Sequence, residues 1–255
     1  MSVDWLEQKL YPDRDKWDPS KRLVRTLERF VSPETAVLDL GAGAGELNAY
    51  DLKGRVKEIV GVDLDPRVAE NPLLDRGIVA DIAELPLEDN SFDVAFSIYV
   101  LEHVADPAAL ARELQRVLKP GGVFLSLTPS KFHYVPIIAS LTPMSFHKWV
   151  NRNRGRDDDD TFPTCYRLNS RRDLKRHFVS AGFDLVEFDA FEVKPNYLKF
   201  NSVTFLAGAV YERVVNSTTL FDPLRCNFVS VLRKRGGDSP SGEASSTEKN
   251  TAELS

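Results

Sequence analysis

Cysteine is scarce in this chain, with Cys165 and Cys226 the two present in 255 residues. Asp4, Glu7 and Lys9 follow Met1 where a secretory leader would carry a basic run and an apolar core, so the pair reads as free thiols in a cytoplasmic protein. Long hydrophobic runs are missing too. The stretch 205–211 is broken by Gly208 and followed by Glu212 and Arg213, far short of the roughly 18 residues that a spanning helix needs. An excess of positive charge is also absent: 33 Lys and Arg face 38 Asp and Glu, and a net charge of -5 offers no general attraction to nucleic acid. A hydrophobic share of 42% and a charged share of 28% exclude wholesale disorder. The length suits one enlarged α/β domain.

The chain alternates between two periodicities. Asp18, Pro19, Leu23, Leu27 and Phe30 give a cap, a proline at the first helical position and apolar residues at helical spacing. An apolar, β-branched run at 35–40 then meets Gly41, Ala42, Gly43, Ala44 and Gly45, and 46–52 reads as the next helix. Further strands are expected at 59–62, 78–80, 92–98, 123–128, 184–191 and 227–233. Leu101, Val104, Leu110, Leu114 and Val117 fit a helix interrupted by Pro107, and Ser170 caps one that Gly182 closes. Alternating strands and helices predict an α/β, Rossmann-like, mostly parallel sheet with helices on both faces. Residues 1–235 read as one domain, with a helical lead-in at 1–34, a cap at 131–169 and an apolar helical insertion at 192–226. Residues 236–255, rich in Ser, Glu, Gly and Thr, read as a disordered tail.

The glycine turn lets a ligand approach the backbone, as several cofactor classes require. A dinucleotide fingerprint wants a glycine where Glu46 stands, and a pyrophosphate beside Asp39 and Glu46 would meet like charge with no Lys or Arg in the turn. A P-loop is equally absent. A phosphate-free ligand with a ribose and a cationic end suits this loop, which describes S-adenosylmethionine. Asp63 lies 24 positions after Asp39, near the spacing at which an acid accepts ribose hydroxyls, and Asp81 ends the third strand. Taken singly, each acid could cap a helix or solvate a turn.

The stretch VLDLGAGAG resembles the first motif of class I S-adenosylmethionine-dependent methyltransferases of the type 11-like branch, which act on small molecules, lipids or glycans. GVDLD, ADIAELPLEDNSFDVAFS, LEHV and LKPGG follow in family order. The resemblance covers about 36–128 and implies a seven-stranded sheet with an antiparallel last strand. It implies that Asp39 and Gly41 hold the amino acid end, Asp63 the ribose and Leu64 the adenine face, with Asp81 and the Ile82 backbone at the adenine edge. Ala42, Gly43, Gly45 and Ser97 complete the cofactor candidates.

Methyl transfer from a sulfonium needs in-line alignment and, for a hydroxyl or activated carbon, a nearby base. His103 and Tyr99 are the catalytic candidates, although a histidine at a helix start more often bonds a neighbour such as Glu102. Tyr166, His133 and His147 are weaker ones. Ser97-Ile98-Tyr99-Val100 lacks the Asn or Asp with two prolines and an aromatic that often marks transfer to nucleobase nitrogen, so O- or C-methylation of a small-molecule, lipid or glycan acceptor is favoured. Between His147 and His177 nine Lys and Arg, among them Lys148, Arg152, Arg154, Arg156, Arg167, Arg171 and Arg172, face five Asp. They read either as a solvated helix face or as a site for substrate phosphate. Phe200, Val203, Leu206, Ala207, Val210 and Val214 fit a helix that is core, dimer face or substrate lid. No metal is expected. Peripheral membrane contact and a homodimer stay open, and an RNA methyltransferase, a non-catalytic scaffold and a nicotinamide oxidoreductase are the rivals.

Overall fold

The computed structural model describes residues 2–13, 15–45, 50–141 and 163–236. Seven strands form one sheet: β1 (Ala36–Leu40), β2 (Glu58–Asp63), β3 (Arg76–Val79), β4 (Phe92–Ile98), β5 (Leu118–Pro129), β6 (Phe183–Phe191) and β7 (Asn227–Lys234), in the order β3-β2-β1-β4-β5-β7-β6. All neighbours are parallel except β7, which runs antiparallel to both β5 and β6. This is the Rossmann-like arrangement that the alternation predicts. Strand order reverses between β1 and β4, so their carboxyl ends diverge and leave a crevice for a ligand.

Residues in β1 are buried throughout, as a central parallel strand covered on both faces must be. One face packs Leu38, Leu40, Val60 and Val62 under Leu110, Leu114 and Phe178. The other packs Val37, Ile59, Phe96 and Leu125 under Leu23 and Leu27. Helix α1 (Val3–Leu10) precedes α2 (Pro19–Leu27), where the Asp18 side chain accepts from the Ser20 amide at 2.8 Å and Pro19 opens the first turn. In α3 (Pro107–Val117) Asp106 caps Ala108 and Ala109. Pro107 therefore starts this helix and does not interrupt one; Leu101–His103 is a separate 3-10 turn. Its missing N–H costs nothing at a first-turn position.

Helix α4 (Tyr134–Leu141) follows β5, and 142–162, which includes most of the expected cap with His147, Lys148, Arg152, Arg154 and Arg156, lies outside the described residues. Ser170 caps α5 (Arg171–Leu174), which continues as a π turn through Lys175–Val179. The expected helix at 46–52 falls partly outside the described residues, and Tyr50, Asp51 and Leu52 are not helical. Tyr50 and Leu52 bury their side chains against the sheet instead, and that packing overrides local preference. The tail beyond Gly236 is likewise outside them.

The insertion forms α6 (Ser202–Asn216), opened by a reciprocal cap between Asn201 and Thr204. Phe205 and Ala209 meet Leu6 and Tyr11 of the lead-in. The stripe of Phe200, Val203, Leu206, Val210 and Val214 is exposed, so the core reading of those residues is corrected. Spacing identifies a face but not the side to which it turns.

Candidate functional site

The crevice is built first from backbone. Gly41, at φ 75°, donates to the Val62 carbonyl at 2.7 Å, and a Cβ there would come within 2.3 Å of Val100. Gly43, at φ 52°, donates its amide to Asp63 Oδ2 at 2.8 Å, while Asp63 Oδ1 accepts from the Asp65 amide at 2.8 Å. The Asp63 carboxylate is thus fixed at the end of β2, half-buried and adjacent to the turn. Asn71 braces the turn from below: its Nδ2 donates to the Ala42 and Gly43 carbonyls at 3.0 and 3.1 Å.

Asp39 is buried in β1 and accepts from the Tyr50 hydroxyl. Burial pushes its pKa up to about 7; the Tyr50 hydrogen bond acts against that rise, and the nearby Asp63 charge adds to it. Two carboxylates that repel each other in a partly dry crevice favour a cation between them. Ser97, which lies beside Leu40 in register, is buried, and among the described residues its Oγ has no hydrogen-bond partner. Such an orphaned hydroxyl awaits a ligand or water. Leu64 is 59% exposed directly after Asp63, an apolar platform at the rim. Asp81 is exposed and accepts from the Ala83 amide at 2.8 Å, and Ile82 packs against the core beside it. Since β2 and β3 pair Asp63 with Val79, these residues share one rim.

A second group of side chains gathers where β4, β5 and β6 end and β7 begins. Tyr99 takes φ 57° after β4 and donates its amide to the Leu127 carbonyl. A non-glycine residue in this region is strained, and such strain clusters at ligand sites. Burial, and then the nearby Cys226 and Glu102, keep the Tyr99 phenol protonated well beyond its ordinary range, so it can donate a proton in a hydrogen bond but cannot serve as a base.

Glu102, which sequence reasoning treated only as a partner for His103, is buried. It accepts from Thr128 Oγ1 at 2.8 Å, and Asn169 in turn donates to Thr128 Oγ1 at 2.7 Å. Burial raises its pKa. Its backbone carbonyl accepts from the Cys165 and Tyr166 amides at 2.6 and 3.1 Å, bringing Tyr166 back to the edge. His103 is half-buried and directs Nδ1 at the Pro163 carbonyl at 3.1 Å. A carbonyl only accepts, so Nδ1 carries a proton.

Deeper in, His133, Glu192 and Cys226 are buried with their donor atoms within 4.8 Å of one another. His133 Nε2 lies 3.3 Å from Glu192 Oε2, off the line of a hydrogen bond, and Glu192 Oε2 accepts from the Cys226 amide at 2.9 Å. The Val135 amide points at His133 Nδ1 from 3.4 Å, which leaves the proton on Nε2, facing the carboxylate. That tautomer turns an N–H, and no lone pair, towards Glu192 and Cys226. Tyr134, Tyr197 and Tyr211 surround His133 with ring centroids 4.0 to 6.3 Å away. Neither Cys165 nor Cys226 is in a disulfide.

Glycine backbone and an acid pair at an α/β switch point have the chemistry that a cationic, phosphate-free nucleoside requires, which is the chemistry of Rossmann-like methyl-transfer enzymes. Residues 38–126 match the family described as a methyltransferase domain. A ubiquinone/menaquinone biosynthesis C-methyltransferase of Shewanella oneidensis is 32% identical over 173 residues, which are 61% of this chain and 69% of that protein. Among solved structures, an S-adenosylmethionine-dependent methyltransferase from Mesorhizobium loti aligns with a TM-score of 0.56 at 18% identity, covering 86% of this chain and 100% of that one. Geranyl diphosphate C-methyltransferase from Streptomyces coelicolor A3(2) aligns with a TM-score of 0.53 at 15% identity, covering 84% and 78%. The chain belongs to the class I S-adenosylmethionine-dependent methyltransferases. It is an enzyme that uses S-adenosylmethionine to methylate a small-molecule acceptor. Among the described residues no helix is long and apolar enough to cross a membrane.

Proposed function

We propose that the chain, as one domain over 1–235, methylates carbon or oxygen of an acceptor seated among Tyr99, Tyr134, Tyr166 and Tyr197, with Glu102 as the base. The observation that carries this reading is the Glu102 carboxylate: buried, pushed above the ordinary carboxylate range, and close enough to Tyr99 and Tyr166 to raise both phenols. Raising a carboxylate pKa strengthens its ionised form as a base. The C-methyltransferase names of the Shewanella and Streptomyces relatives support a carbon acceptor. His103 is the second candidate base.

When bound, S-adenosylmethionine supplies an electrophilic methyl on a sulfonium. Asp39 and Asp63 would hold its ammonium and ribose, with the Gly41, Ala42, Gly43 and Gly45 backbone beside them. Leu64 would face the adenine, Asp81 and the Ile82 backbone its edge, and Ser97 Oγ would gain its missing partner. Glu102 would take the acceptor proton as the nucleophile attacks, and Tyr99 would bond the acceptor oxygen. The tyrosine rings exclude water from the transfer path. Two cysteines outside any disulfide suit a reducing, cytoplasmic compartment.

The test is transfer of labelled methyl to hydroxylated aromatics, to prenylated quinols and to RNA. Label in the quinol or phenol fraction, with rates that rise with pH through a raised carboxylate pKa in the wild type and lose that limb in Glu102→Gln, is expected. Label in RNA, or a pH profile unchanged in Glu102→Gln and abolished in His103→Gln, would transfer the role elsewhere.

A further inference from the structure

Helix α6 is turned inside out for a helix in contact with water. Val203, Leu206, Val210 and Val214 lie three or four positions apart and form one stripe, with Val203 77% and Val210 62% exposed. The inward side carries the helix's sole carboxylate. Glu212 is buried and accepts from the Tyr11 hydroxyl at 3.2 Å and from Asn216 Nδ2 at 2.8 Å. Over 193–221 Glu212 is the only acidic residue, so the outward face of α6 bears no negative side chain although the whole chain has a net charge of -5.

The exposed apolar surface continues into the 3-10 turn Thr219–Leu224, held to α6 by the Tyr211 hydroxyl on the Leu224 carbonyl at 2.5 Å. Leu220, 78% exposed, is one wall of a groove of about 710 Å³ that has Phe188 and Phe228 within it and Arg171, Arg172 and Arg176 on its other side. Lys131, at the same groove, is paired with Asp173 at 2.5 Å. The three arginines have no carboxylate at ion-pair distance among the described residues, and Arg171 sits 5.5 Å over the Phe188 ring.

We propose that this face docks on a bilayer containing anionic lipids, with the α6 stripe and Leu220 entering the acyl boundary and the three arginines receiving lipid phosphate. Apolar side chains beside guanidinium groups match the two layers of such a surface, and guanidinium pairs phosphate in a fixed fork. A second copy of the chain is a poorer occupant, because the carboxylates that line the groove, Asp173 and Asp222, already pair with Lys131 and Arg225, and the outward face of α6 adds none to neutralise the arginines of its partner. On the inner side of α6, Tyr211 meets Tyr134 with ring centroids 5.3 Å apart, so docking would set the tyrosine-lined space beside the lipid. The inference does not depend on which atom is methylated.

The test is flotation of the full chain with vesicles of phosphatidylcholine alone and of phosphatidylcholine mixed with phosphatidylglycerol. Wild type should float with the mixed vesicles and be released by salt. Val210→Asp with Val214→Asp, at exposed positions, should keep the melting temperature and calorimetric S-adenosylmethionine affinity of wild type while vesicle binding falls about tenfold or more. Arg171→Glu with Arg172→Glu should erase the preference for phosphatidylglycerol. Wild type that floats with neither vesicle overturns the proposal, whether or not inorganic phosphate binds the groove. So does a wild-type dimer that Val210→Asp splits and that ignores vesicles.

Discussion

The two halves of the carboxyl edge are made from different materials. On the β1, β2 and β3 side the ligand surface is main chain plus short acids, with Gly43 clamped to Asp63 and Asp39 to Tyr50. On the β4 to β7 side it is large side chains: tyrosines, a buried Glu102 and the His133–Glu192 contact. A backbone surface tolerates little change and binds one cofactor shape, whereas a wall of side chains can be recut for new acceptors on the same fold.

Glu102→Gln should break the second half alone, lowering kcat by about a hundredfold or more with cofactor affinity intact, as steady-state kinetics and calorimetry would show. If both fall together, the halves are not independent. Asp63→Ala should break the first half, weakening S-adenosylmethionine binding by about 2 kcal/mol through lost charge-assisted bonds, with acceptor KM unchanged.

The raised Asp39 pKa gives a pH test of the same half. Its folded value of about 7 lies above the ordinary 3.8, so between those values the folded protein holds a proton that the unfolded chain releases. Stability of the ligand-free protein therefore falls as pH rises through that window. Binding of a cation runs the other way: it needs the carboxylate, so calorimetric affinity should be full above about pH 7 and drop about tenfold per unit below it. Tyr50→Phe removes the bond that opposes the rise and should move that midpoint about one unit upward. The smallest effect belongs outside both halves. Arg22 pairs with Asp189 at 2.5 Å on an exposed surface, and Arg22→Ala should cost about 1 kcal/mol or less in denaturant melts.

The first half was more legible in the sequence than the second, where Tyr99, Tyr166 and His133 stand out but Glu192 and the burial of Glu102 do not. Gly41, Gly43 and Asp63 announce themselves because a positive-φ turn at a strand end restricts residue type locally. Asn71 reaches the same turn from 28 residues away, and nothing in its neighbourhood marks it. His103 stands out because it follows the fourth strand closely, yet the adjacent Glu102 is the buried group. Burial of one of two neighbours depends on how the 3-10 turn Leu101–His103 seats against β5, which no spacing reveals.

Order of elements, the switch point and the charge of the cofactor site follow from the chain alone, because strand periodicity, glycine placement and acid spacing are local properties. Which face of α6 meets water, which carboxylate is dry and which tyrosines converge on His133 were settled only by folding. Those outcomes depend on contacts between residues far apart in sequence, and packing decides them collectively.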